Sequence, residues 1–179
     1  MHHEGVHVYK LVTAIIIVLL LTACTPGSGY RHPTRPTPVP VLESITLNQP
    51  FTIRPDRASE YIQNGEIMPY NRISEYYPHC IFGLRTVSDQ ARTVQPETFR
   101  VTAIRRDRFM ALFGGTMLAS GGDSPDYNMV MSITRLDLNS ATQPDVFRLT
   151  CQQLDDAWRM HHLTVSEMQQ ALGQLFTLH

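Results

Sequence analysis

The sequence predicts an α+β fold, a mostly antiparallel β-sheet (a small sandwich or an open barrel) with one C-terminal helix packed on it. Three observations predict it. Between residues 44 and 153 the chain repeats short runs in which apolar and polar residues alternate, the period of a half-buried strand. Clusters of Pro, Asn, Asp, Gly and Ser separate these runs, as tight turns require. After residue 163 the spacing changes to that of an amphipathic helix.

The elements follow in order. Phe51 and Ile53 alternate in a first short strand region, 44–55. Asn64-Gly65 lies between two short apolar stretches and predicts a hairpin with a type I′ turn. In HCIFGLR, residues 79–85, alternation places Cys80, Phe82 and Leu84 on one face. In TFRVTAIRRDRF, residues 98–109, it places Phe99, Val101 and Ala103 together. The run from Tyr127 through Met129, Met131 and Ile133 changes phase to Leu136 and Leu138, which predicts a bulge there. Phe147, Leu149 and Cys151 share a face in DVFRLTCQ. The helix carries Val165, Met168, Ala171, Leu172 and Leu175 on its apolar face. Thr164 and Glu167 have the spacing of a capping box, Leu163 can staple to Met168, and Gly173 weakens the last turn.

The amino terminus is of another kind. Leu11 to Ala23 is an apolar run, shorter than the roughly 20 residues that cross a bilayer and of the length of a signal-peptide core. Lys10 precedes it as the positive flank, and Cys24 ends it. Leu21-Thr22-Ala23-Cys24 resembles the lipobox of bacterial lipoproteins. The resemblance implies that residues 1–23 are a signal peptide cut before Cys24, and that Cys24 carries acyl chains, palmitate among them. Thr25, where Asp would favour inner-membrane retention in enteric-type sorting, points to the outer membrane. Residues 24–43, the lipidated cysteine and a tether holding Pro26, Pro33, Pro36, Pro38 and Pro40, are expected to be extended. One globular domain, 44–179, follows; its length of roughly 140 residues suits a single core.

An exported chain meets an oxidising space, where two cysteines pair. Cys80 and Cys151, the cysteines besides Cys24, both fall on the apolar phase of their strands and are expected to form a disulfide. A formal net charge of -1 excludes a broad basic surface, so no nucleic acid partner is expected.

Candidate chemistry is sparse. Residues 108–127 hold Phe109, Met110, Leu112, Phe113, Met117 and Leu118, broken by glycines. They read as a hairpin that extends the core, with a docking loop as the alternative. Arg100, Arg106 and Arg108 share a strand parity, and Arg105 adjoins them. Arg105, Arg106, Arg108, Phe109 and Phe113 are therefore the candidate partner contact. His79, His161 and His162 match no zinc spacing, and Ser124 lies in no nucleophile elbow. No catalytic set, metal site or cofactor is expected. The chain reads as an envelope lipoprotein, periplasm-facing, held in the lipid bilayer through acylated Cys24. It would bind or help assemble an envelope protein or cell-wall component. The alternatives are an enzyme or accessory factor acting on cell-wall or lipid substrates, and a carrier of a small apolar ligand lined by Met117, Met129 and Met131.

Overall fold

The computed structural model describes residues 38–111 and 129–179. Cys24, Phe113, Met117 and Ser124 lie outside the described residues. The strands are β1 (Ser44–Leu47), β2 (Phe51–Ile53), β3 (Arg57–Gln63), β4 (Glu66–Met68), β5 (His79–Ser88), β6 (Arg92–Val94), β7 (Glu97–Ala111), β8 (Met129–Asn139), β9 (Val146–Asp156) and β10 (Phe176–Leu178), with one helix, α1 (Val165–Leu172). Eight strands form an antiparallel sheet in the order β10-β1-β7-β8-β9-β5-β3-β4, and β2 pairs with β6 apart from it. The sheet curls into a half-barrel with α1 packed on it, the α+β architecture expected.

Each turn has a local cause. Asn64 and Gly65 both take positive φ, 54° and 79°, as a type I′ hairpin between β3 and β4 demands. The capping box of α1 is complete: the Glu167 N–H donates to Thr164 Oγ1 and the Thr164 N–H donates to Glu167 Oε2. The helix is shorter than the apolar spacing suggested. It stops at Gly173, and Phe176 to Leu178 leave it to pair with β1. Val165, expected on the buried face, is exposed. Gly173 does more than weaken a turn. Its φ is 56°, and a Cβ there would sit 2.5 Å from the Cα of Gly65. The Gly65 N–H donates to the Ala171 carbonyl at 2.9 Å, so the β3–β4 turn docks on the helix end through two residues without side chains.

The core lies between the inner face of the sheet and α1. Phe82 is its centre, with ring centroids 5.2 Å from Phe51, 5.1 Å from Phe176 and 6.0 Å from Phe99. These four rings come from β2, β5, β7 and β10 and are fully buried, each contributing about 1.5–3 kcal/mol by transfer from water. Cys80 and Cys151 stand directly opposite each other on β5 and β9, fully buried, and are bonded as a disulfide. Leu42, placed in the tether by composition, belongs to this core, and Glu43 bonds through its backbone to both His179 and Val101.

Three phase assignments differ from the sequence reading, for one reason: an extra residue in a strand is visible only in the register with its neighbour. The bulge expected in β8 lies in β7, at Thr102. It turns Ala103 away, so that Ile104 rather than Ala103 follows Phe99 and Val101 toward the core. The bulge also breaks the shared parity of Arg100 with Arg106 and Arg108. In β9 a second irregularity leaves Phe147 between two paired residues, so Val146 enters the core. Phe147 stands instead on the outer face, with the guanidinium groups of Arg148 and Arg85 4.8 and 5.5 Å from its ring centroid.

Candidate functional site

The far half of β7, with β8 and the end of β9, carries every described residue of the candidate contact. The strand splits these residues between two faces. Arg105 is on the outer face and pairs with Asp137, 3.0 Å away, which also accepts from Arg148 at 2.9 Å. Arg135 and Asp107 form a further ion pair on this face. The ladder alternates in sign, and exposed pairs of this kind contribute roughly 0–1 kcal/mol each. Arg105 is thus engaged within the sheet.

Arg106 and Arg108 are on the inner face. Arg106 lies opposite Thr134, whose neighbour across β8–β9 is Cys151, so one row of the sheet runs Arg106, Thr134, Cys151, Cys80, Ile62. The next row runs Arg108, Ser132, Gln153. His162, in the segment leading to α1, approaches the Ile133 backbone from this side. Burial and the two guanidinium charges hold its imidazole down at about 4, so it is neutral near pH 7. Arg106 Nη2 donates to the Pro38 carbonyl at 2.7 Å. The polar residues Arg106, Arg108, Ser132 and Thr134 occupy the core parity here, while Met129, Met131 and Ile133 take the outer one. Met129 and Met131 therefore stand on the face of β8 away from the Phe82 core.

At the end of these strands large apolar side chains are exposed. Phe109 and Met110 extend β7 but are more than half exposed, as are Tyr76, Tyr77 and Trp158. Arg159 stacks on the Trp158 ring at 5.2 Å. A pocket of about 460 Å³ opens among Tyr76, Tyr77, Met129, Leu154, Asp156 and Arg159.

Buried polar residues hold Tyr76 and Tyr77 there; Gln63 had no signal in the sequence, and the burial of His79 had none either. Gln63 Nε2 donates to the Ser74 carbonyl at 2.8 Å, and its Oε1 accepts from the Ser74 N–H at 3.1 Å. The Leu154 N–H donates to the Glu75 carbonyl at 2.7 Å, which fastens the segment alongside β9. His79 is fully buried, its Nδ1 3.1 Å from the Tyr77 carbonyl and its Nε2 3.0 Å from Gln152 Nε2. Donation by Nδ1 and acceptance by Nε2 fit one neutral tautomer, and burial pushes its pKa down. His79 faces outward where His162 faces inward, and His161 bonds Glu167 at 3.0 Å. The three histidines therefore do not converge. Among the described residues no group of three or more His, Cys, Asp or Glu side chains could hold a metal ion.

No protein-family model matches the chain, and neither a curated protein nor a solved structure matches it.

Proposed function

We propose that the chain is a binding module of the bacterial envelope, held at the outer membrane by acyl chains on Cys24. Its contact surface is the end of β7, β8 and β9. The observation that carries this reading is that Tyr76 and Tyr77, both exposed, line one pocket with Arg159, while the exposed Phe109 and Met110 lie near the end of β7 and the exposed Trp158 follows β9. Trp, Tyr, Met and Arg are the residue types enriched where proteins meet, and rigid rings lose little entropy on binding. The partner is an envelope protein or a cell-wall component. Two or three acyl chains on Cys24 hold the module at the bilayer, since each buried CH₂ contributes about 0.8 kcal/mol.

The test is site-specific photocrosslinking in the native host. A photoreactive residue is placed at Trp158, at Tyr77 and, as the control, at Val87, exposed at the other end of β5. The proposal expects a discrete adduct from 158 and 77 and none from 87. It also expects Cys24→Ala to move the protein out of the membrane fraction. Equal labelling at all three positions, or none, refutes the contact surface. Retention of the Cys24→Ala chain in the membrane refutes the anchor.

A further inference from the structure

The pocket of about 460 Å³ at the end of β9 holds hydrogen-bonding groups that have not paired with one another. Asp155, Asp156 and Arg159 line it together, yet among the described residues the guanidinium forms an ion pair with neither carboxylate. It lies over the Trp158 ring instead, a contact of its flat face that leaves the N–H edge to other partners. The Asp156 carbonyl accepts from the N–H groups of Arg159 and Met160, both at 2.9 Å, so a tight turn after β9 returns Arg159 to the pocket. Asp155 Oδ1 accepts from the Asp156 N–H at 2.9 Å, and the carboxylate of Asp156 has no partner among the described residues. Tyr76 and Tyr77 supply the aromatic lining. Gln153 Nε2 donates to the Tyr76 carbonyl at 3.0 Å and His79 fixes that of Tyr77, so the backbone is held while both rings, 57% and 65% exposed, stand free. Met129 and Leu154, both buried, add apolar lining.

We infer that this pocket binds an uncharged saccharide, with Tyr76 and Tyr77 against a sugar face and Asp155, Asp156 and Arg159 on its hydroxyls. The inference rests on the proposed reading of this surface as the contact site and names the chemistry that enters it. The occupant has to satisfy, in one pocket, carboxylates that only accept and a guanidinium that only donates. A cationic group would meet Arg159 and an anionic one two carboxylates, so either leaves a like charge opposed. A hydroxyl is donor and acceptor at once, and a pyranose carries several around its rim. The faces of a pyranose are C–H, slightly positive, and suit the negative face of an aromatic ring. An extended peptide carries its donors and acceptors along its backbone edges and brings no such apolar face between them. The volume lies within the range of about 300–1,000 Å³ usual for small-ligand sites, the scale of a short stretch of glycan chain.

The test keeps the full chain in a polyoxyethylene detergent, whose headgroup is not a sugar, and titrates it with chitotetraose and with maltotetraose. Trp158, the one tryptophan of the chain, reports through its emission, and calorimetry gives the affinity. The inference expects saturable binding of at least one tetrasaccharide. Tyr77→Ala and Asp156→Asn should each weaken it by about tenfold or more, the loss of one stacked ring or one charge-assisted contact. Val87→Ala, at the far end of β5, should leave it unchanged. Tighter binding of chitotetraose identifies an N-acetylated sugar chain as the occupant, and tighter binding of maltotetraose a plain hexose chain. Three outcomes overturn the inference: no saturable binding of either tetrasaccharide, binding that both pocket variants retain, or binding of a tetralysine peptide alone, lost with Asp156→Asn. The last would make the pocket a site for basic peptide. The crosslinks at 77 and 158 judge the contact surface separately: a discrete protein adduct without saccharide binding refutes the saccharide alone, whereas the absence of both refutes the surface as well.

Discussion

The Cys80–Cys151 bridge offers the clearest quantitative test of how this fold is held. It joins residues 71 apart in sequence, on adjacent strands that are already paired. In the chain-entropy account, closing a loop of this length withdraws about 4 kcal/mol of freedom from the unfolded chain. The folded register does not depend on the bond, because β5 and β9 continue to pair on both sides of it. Removing it should therefore leave the fold intact and lower its stability by about 4 kcal/mol. For a body of this size that is roughly 12–20 °C in thermal midpoint. Two proteins separate the bond from its sulfur volume. One is Cys80→Ala/Cys151→Ala; the other is the wild type, unfolded in reductant and refolded with its thiols kept reduced. Urea unfolding followed by tryptophan fluorescence and circular dichroism gives midpoint and slope for each. The slope should rise when the bond is absent, because the unlinked unfolded chain is more expanded. A reduced wild type within about 1 kcal/mol of the oxidised one, with the same slope, would refute the account.

Three further outcomes are expected. Glu60 is fully buried while its partner Arg54 is 44% exposed, and burial alone would push the carboxyl up, but the Arg54 bonds hold it below its usual range. Arg54→Met strands that charge and should cost about 3–5 kcal/mol at pH 7, clearly more than Glu60→Gln, in paired urea titrations. His162 binds its proton at about 4 when folded and near 6.5 when unfolded, so the unfolded chain takes up more protons between those values. Stability should thus fall as pH drops from 6.5 toward 4, with about 3 kcal/mol from this group. His162→Gln should flatten that slope, while the falling contribution of His79 and the opposite one of His161 remain in both proteins. Gly173→Ala places a methyl against Gly65 at positive φ and should cost about 1–3 kcal/mol by thermal denaturation, whereas Gln174→Ala should cost far less.

What the sequence made legible were features with a local cause. Asn64-Gly65, the Thr164–Glu167 box and the apolar phase of Cys80 and Cys151 each depend on residues within a few positions. The features it concealed depend on strand neighbours. A bulge at Thr102 is an offset between β7 and β8, and nothing within β7 marks it. The reading of β8 failed for a second reason. Alternation assumes that the apolar parity faces the core, but here Ser132 and Thr134 face inward, and Ile133 and Met129 are buried from outside. Polar residues on a core parity, the usual sign of a solvated face, mark the interior patch. Gln63 and Glu60 were missed, and His79 was named without its burial, because no motif distinguishes a buried polar residue that fastens a segment from one in solvent.

The position of β1 has a mechanical consequence. It lies between β7 and β10, and its backbone bonds to both neighbours begin at Glu43. A pull applied along the axis of β1 loads both ladders in shear. The bonds of β1 to β7 and to β10 must then yield together rather than one after another, as in peeling an edge strand. A force entering the body through β1 thus meets a strand held on both sides.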